Sequence, residues 1–166
     1  MSKSVAVYPT GGGPSTTYTK QYVYDGQNII FEYDGDNALL AQYTHNPLYL
    51  DDVLAVNITT AGASAKLAKV AGDYYYLKDH LGSITSIADA TGNTLQKYDY
   101  RSFGKVISIT DVGGNDISKI QPVHTAFTYT GREWDEDTGL FYLRARYYES
   151  WTLRLLNAEK FTPSEF

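Results

Sequence analysis

Turn signals punctuate this chain at intervals of about nine to twelve residues, and that spacing prescribes short strands joined as hairpins. Lys20 to Asp25 is closed by Gly26-Gln27. Asn28 to Asp34 puts Ile29, Phe31 and Tyr33 on one face. Gly35-Asp36-Asn37 turns the chain because Gly, Asp and Asn tolerate positive φ. Ala38 to His45 carries Leu39, Ala41 and Tyr43 on one face and stops at Asn46-Pro47, since proline lacks the amide a ladder needs. Further strands are expected over Asp52 to Thr59, Tyr74 to Lys78, Ser83 to Asp89, Thr94 to Tyr100, Lys105 to Thr110, Thr125 to Thr130 and Leu140 to Tyr148. In the last of these, Phe141, Leu143, Ala145 and Tyr147 point one way, and Leu140, Tyr142, Arg144, Arg146 and Tyr148 the other. Thr60 to Ala71 reads as an exposed strand or loop, with a helical turn as the alternative over Ala65 to Val70. Asp111 to Val123 is the longest loop candidate.

The expected fold class is all-β: an antiparallel hairpin meander of short repeats forming a tyrosine-rich curved sheet, a partial shell or a small barrel. Sixteen tyrosines favour this, because the ring covers a strand neighbour while the hydroxyl reaches water or backbone. The expected organisation is a flexible N-terminal arm over 1–19, where Gly11-Gly12-Gly13-Pro14-Ser15 reads as a linker, a repeat core over 20–150, and a docking or assembly tail over 151–166. A net charge of −5 without clustered Lys and Arg argues against a nucleic-acid partner. With no cysteine, disulfides and thiolate metal sites are excluded, though the compartment is not fixed. No apolar run approaches the roughly 20 residues of a membrane span, and the first residues carry no secretory h-region.

A degenerate repeat is visible in Tyr24-Asp25-Gly26, Tyr33-Asp34-Gly35 and Tyr98-Asp99, each expected to end a strand with a stacking tyrosine and a turn-capping aspartate. Repeats this short depend on neighbours to bury a face. Three further segments stand out: Asp79-His80-Leu81-Gly82-Ser83, Tyr98-Asp99-Tyr100-Arg101-Ser102-Phe103-Gly104, and Thr130 to Tyr148, TGREWDEDTGLFYLRARYY. Together with Tyr22 to Ile30, in this order, they resemble the C-terminal core of the RHS/YD-repeat family over roughly Gln21 to Arg154. The resemblance implies large β-sheet shells, some with a self-cleaving Asp-Pro-x-Gly element that releases a C-terminal toxin. Here Thr152 to Phe161 departs from that pattern, with Leu153, Leu155, Glu159 and Lys160 at its Gly, Phe, Asp and Pro positions. Self-cleavage and a toxin cassette are therefore not expected.

About ten to twelve strands at about 4.8 Å each make roughly 50–55 Å of sheet, too little to enclose another protein. The leading expectation is thus a non-enzymatic structural protein whose copies associate into a tube, fibre or shell outside the cell or at its surface. The alternatives are a module binding surface carbohydrate, and a remnant of an RHS toxin-delivery shell.

Candidate sites are sparse. Asp79, His80 and Ser83 share a tight turn, and adjacency there does not build a nucleophile–base–acid set, so a turn-stabilising bond is expected of His80. His45 and His124 have no spaced partner for a metal. Asp135, Glu136 and Asp137 give only part of a calcium loop and read as a solvated turn. Glu133 and Glu136 are in reach of Arg132, Arg144 or Arg146 for exposed ion pairs. Tyr142, Arg144, Arg146 and Tyr148 form an aromatic and guanidinium face, expected to stack among themselves rather than on a sugar. Trp134, Trp151 and Phe166 complete the packing or assembly candidates. No catalytic residue, metal ligand or cofactor loop is assigned.

Overall fold

A computed structural model describes residues 2–7, 16–65, 67–135, 138–143 and 146–157. Its main body is a nine-stranded antiparallel meander in which spatial order follows sequence order. The strands are β1 (Ser2–Val7), β2 (Thr16–Asp25), β3 (Asn28–Asp34), β4 (Leu39–His45), β5 (Val53–Ile58), β6 (Gly72–Lys78), β7 (Ile84–Asp89), β8 (Thr94–Tyr100) and β9 (Val106–Thr110). A second antiparallel sheet holds β10 (Glu133–Asp135), β11 (Leu140–Tyr142), β12 (Arg146–Glu149) and β13 (Arg154–Asn157). Neither sheet closes into a barrel, so of the expected forms the curved sheet is the one found. Within the span expected as an arm, Ser2–Val7 pairs with the start of β2, Val7 opposite Thr16 and Ser2 opposite Gln21.

One local device makes five of the turns. At Asp34, Asp79, Asp89, Arg101 and Asp111 the first residue donates its N–H to the carbonyl four residues on. The fourth residue donates back to the carbonyl of the first. That fourth residue is left-handed every time: Asn37 (φ 63°), Gly82 (84°), Gly92 (87°), Gly104 (92°) and Gly114 (82°). Where the first residue is aspartate, its Oδ1 also accepts the backbone N–H groups two and four residues later. The carboxylate thus occupies donors that strand pairing leaves free. These bonds hold the Asp89 and Asp111 carboxyls below the ordinary aspartate range. The largest contributor is the Thr91 hydroxyl for Asp89 and the Asn115 side chain for Asp111. His80, expected to stabilise its turn, is exposed at the tip, and Asp79 makes the bonds. Tyr98-Asp99 lies inside β8 rather than ending it, with Asp99 accepting from the Ser108 hydroxyl at 2.6 Å.

The core lies on one face of the large sheet. Ile29, Leu40, Tyr43, Val53, Val56, Tyr74, Tyr76, Ile84, Ile87 and Tyr98 are buried there. The segment after β9 covers them with Val123 and Phe127. Gln96, fully buried, fastens this cover: its side-chain amide donates to the Val123 carbonyl at 2.9 Å and accepts the Val123 N–H at 3.0 Å. A side chain here supplies both bonds of a strand partner. Glu32 is also buried, accepting from the Tyr43 hydroxyl at 3.1 Å with the Lys20 ammonium at 2.8 Å.

Three local expectations are corrected. Thr60–Ser64 forms a short helix, α1, because the Thr59 hydroxyl accepts the Gly62 N–H at 3.0 Å as an N-cap. After it, Leu67 and Ala68 are buried rather than exposed, and Ala68 bridges to Val123. Thr125 to Thr130 is not a strand: Phe127 makes a single bridge to Glu133, and a 3-10 turn follows at Tyr129–Gly131. Leu140 to Tyr148 is not one strand but two. The Leu143 N–H bonds the Arg146 carbonyl at 2.8 Å, which folds β11 back on β12. Phe141 then faces Tyr148 and Tyr142 faces Tyr147, the reverse of the grouping a continuous strand gives.

Candidate functional site: a clamp across three hairpin turns

Successive turns of a meander alternate between its two ends, so the β4–β5, β6–β7 and β8–β9 connections share one end. The segment Tyr129-Thr130-Gly131-Arg132 crosses all three. At the first, Gly131 presses on Asp51, where a β-carbon on the glycine would sit 2.2 Å from the carbonyl oxygen. Arg132 pairs with the Asp51 carboxylate at 2.9 Å. At the second, the Thr130 N–H donates to the buried Ser83 hydroxyl at 3.1 Å, and the Ile84 N–H donates to the Thr128 carbonyl at 3.0 Å. At the third, the Tyr129 ring packs against Gly104, where a β-carbon would meet the ring at 2.3 Å, and its hydroxyl donates to the Ser102 carbonyl at 3.1 Å.

Two consecutive left-handed residues, Thr130 (φ 51°) and Gly131 (φ 67°), give the segment its bend. A β-branched residue is costly in that region and persists only when its surroundings hold it. The bond to Ser83 and the Thr130 hydroxyl donating to the Tyr129 carbonyl at 2.8 Å do so. Three of the four sequence segments that carry the family resemblance, at 79–83, 98–104 and 130–148, thus meet in space.

An aromatic chain carries the clamp into the second sheet. Ring centroids run from Tyr98 to Tyr100 (6.3 Å), to Tyr129 (5.8 Å) and to Phe141 (6.1 Å), which also touches Trp134 (4.7 Å) and Tyr148 (6.2 Å). Phe141 is buried at its centre. Tyr148 ties back to the third turn by donating to the Phe103 carbonyl at 3.1 Å. Between them opens an apolar cleft of about 350 Å³ lined by Phe103, Tyr129, Phe141, Tyr148, Leu153 and Leu155. Burial raises the hydroxyl pKa of Tyr100, with Tyr98 and Asp79 adding to it, and that of Tyr148, with Tyr129 adding to it.

Of the predicted packing residues, Trp134 and Tyr148 meet at Phe141. Tyr142 contacts Tyr147 at 5.3 Å. Burial raises the Tyr24 hydroxyl pKa, with Glu133, Tyr142 and Tyr147 adding to it. Arg146 is exposed and stands in register with Asn157. Trp151 is exposed with the Lys105 ammonium 3.1 Å over its ring. Arg144, Phe166, Glu136 and Asp137 lie outside the described residues. Arg132 pairs with Asp51 at the first hairpin. His45 Nε2 bonds the Ile29 carbonyl at 2.8 Å, and burial lowers its pKa. Among the described residues no three His, Cys, Asp or Glu side chains gather as an ion site. No described helix is long and apolar enough to cross a membrane. Sequence reasoning missed Tyr129, Gly131 and Phe141 as the heart of the site. The available signal was the lone glycine after an expected strand, which marks close backbone approach.

No protein-family profile matches the chain. It is 35% identical over 130 residues to the tRNA nuclease WapA of Bacillus subtilis, and 34% identical over 130 residues to the tRNA3(Ser)-specific nuclease WapA of Bacillus spizizenii. Each match takes in 77% of this chain and 5% of the relative. Salivary gland surface protein 1 of Aedes aegypti is 34% identical over 134 residues, 77% of this chain and 4% of that protein. Among solved structures, the crystal structure of TcdB2-TccC3-TEV shares the fold with a TM-score of 0.50, at 18% identity, over 95% of this chain and 8% of that one. The Photorhabdus luminescens Tc holotoxin pore with a TccC3 mutation does so at 0.52 and 18%, over 93% and 8%.

The nuclease names overturn two expectations, that the protein is purely structural and self-assembling and that it is not an enzyme. They agree better with the toxin-delivery alternative. The chain spans about 5% of the length of these relatives. Motifs, sequence relatives and fold together relate this chain to the RHS/YD-repeat proteins.

Proposed function

We propose that this chain is the C-terminal RHS core of a toxin-related protein, active outside the cell or at its surface, whose enzymatic activity is nuclease action on tRNA. The observation that carries this reading is the 34–35% identity to three WapA proteins named as tRNA nucleases. The likeness to the fold of TccC3-containing toxin assemblies supports the toxin context, and the relative named a surface protein supports the address. On this reading the clamp has a mechanical role. It locks the ends of three hairpins so that a sheet with open edges keeps one curvature. The division into an arm over 1–19, a core over 20–150 and a tail over 151–166 is retained as part of the proposal.

The test is to express the natural product of the gene encoding this chain and incubate it with total tRNA. Cleavage of tRNA, reduced when Gly131→Val disrupts the clamp, is expected. Intact tRNA after exposure to the folded full-length product would remove the reading.

A further inference from the structure

His45 ends β4 and touches both β3 and the segment that covers the sheet. Its Nε2 lies 2.8 Å from the Ile29 carbonyl, and since a carbonyl only accepts, Nε2 carries the ring proton. Its Nδ1 is buried and has no hydrogen-bond partner among the described residues. Its ring stands edge-on to Phe127 of the covering segment, at 5.7 Å between centroids and 80° between planes. Tyr43, two residues back on the same face, holds Phe127 in the same way at 5.3 Å and 78°. Phe127 itself is 4% exposed. Its backbone bonds run within its own layer. The Thr125 hydroxyl accepts its N–H at 3.0 Å and donates to its carbonyl at 3.1 Å, and its bridge runs to Glu133. The clamp begins at the next residue, where the Thr128 carbonyl accepts from Ile84.

A second proton, on Nδ1, would make a cation with a buried N–H and no acceptor, and the charges around it do not offset that cost. From β6, the Lys78 ammonium bonds the Val53 carbonyl at 2.6 Å, and Val53 is the residue paired with His45 between β4 and β5. From the β4–β5 connection, Asp51 acts on His45, but its carboxylate is bound to Arg132 at 2.9 Å. Asp52 is bound by Lys78 and by Asn46. From the β2–β3 turn, Asp25 is exposed to water across the opening it lines with His45. Buried Glu32 on β3 is taken up by Tyr43 and Lys20. The covering segment carries a histidine of its own, His124, and bridges to Glu133. Burial lowers the His45 pKa most, and Lys78 lowers it further, while the Ile29 bond and Asp51 pull it back. A His45 open to water regains its ordinary basicity, so acid favours the arrangement that exposes it. Phe127 packs against that ring, and its layer can lift without parting the ladder of the large sheet.

We propose that His45 is an acid-sensitive latch: on taking up a proton it lets go of Phe127, and residues 124–132, the clamp among them, lift from a sheet that stays paired. The latch stands apart from any nuclease activity. Amide exchange of the purified chain at pH of about 7.5 and about 5, corrected for the intrinsic effect of pH on exchange, tests it. Opening of residues 124–132 should rise about five-fold at the lower pH. There they should exchange at least about ten-fold faster than β5 and β6, whose amides open only with the whole sheet. His45→Gln, whose amide can still donate to the Ile29 carbonyl, should abolish the rise, and His124→Gln and His80→Gln should keep it. A second measurement needs no variant. In a proton NMR titration the Phe127 ring signals should move with the same midpoint as those of His45. No rise, a rise that survives in His45→Gln, or a rise lost in His124→Gln would each overturn the proposal. So would equal protection of 124–132 and the β5–β6 ladder at the lower pH, or Phe127 signals that ignore the His45 titration.

Discussion

Gly131 and Asp51 touch backbone to backbone, with no room for a β-carbon between them. The glycine also occupies the left-handed region at φ 67°. Replacement is therefore opposed twice, by conformation at about 1–2 kcal/mol and by overlap with an oxygen that cannot swing aside. Gly131→Ala should lower stability by at least about 2 kcal/mol in urea unfolding. Gly92→Ala, left-handed but with open space around it, should cost only the conformational part. Equal losses at the two sites would show that the close approach does not matter.

Gln96 substitutes for a strand at Val123. Changing it to leucine keeps the volume but strands a buried N–H and a buried carbonyl, at about 1–3 kcal/mol. Amide exchange should quicken over 117–128 while the β5–β7 ladder keeps its protection. Uniform acceleration across the sheet would mean that the covering segment is not a separate layer.

His45 is held neutral by burial, its folded pKa lying below the ordinary 6.5. In this window the unfolded chain takes up the proton first. The associated stability is complete above pH of about 6.5 and drains away as pH falls through the lower folded value. The urea midpoint should drop between neutral pH and pH 5, and His45→Gln, which can still donate to the Ile29 carbonyl, should flatten that part of the profile. An unaltered profile in the variant would assign the loss to other groups.

Phe141 is the ring on which both sheets converge. Phe141→Ala should cost about 3–5 kcal/mol, and Trp134 emission should move to the red as the indole loses its partner. Leu140 is buried one residue away and points to the opposite face of β11, so Leu140→Ala should destabilise without shifting the Trp134 spectrum.

Much of the large sheet is legible in the order of residues, because its information is local. A glycine or asparagine at the fourth position of a five-residue turn must be left-handed, and an aspartate at the first caps it, as at 79–83 and 89–93. The second sheet is not legible in that way. Nothing between Leu140 and Tyr148 is a glycine or proline, so alternation reads as one strand. The fold-back at Leu143 is favoured by contacts that exist only afterwards, Phe141 with Tyr148 and Tyr142 with Tyr147. The clamp hides for a similar reason. Asp51, Ser83, Gly104 and Gly131 are far apart in the chain, and only the meander brings their turns to one end. The nuclease relationship is further still from local reading, since it rests on proteins of which this stretch is a small part.

The contact of Tyr129 with Gly104 tests the clamp most directly. In a proton NMR spectrum the α-protons of Gly104, packed against the ring, should be shifted by its ring current away from the ordinary glycine position and return to it in Tyr129→Leu, while those of Gly92 stay unchanged. Gly104 α-protons at the ordinary position in the folded wild-type chain would mean that Tyr129 does not cross the third turn, and the clamp would be refuted.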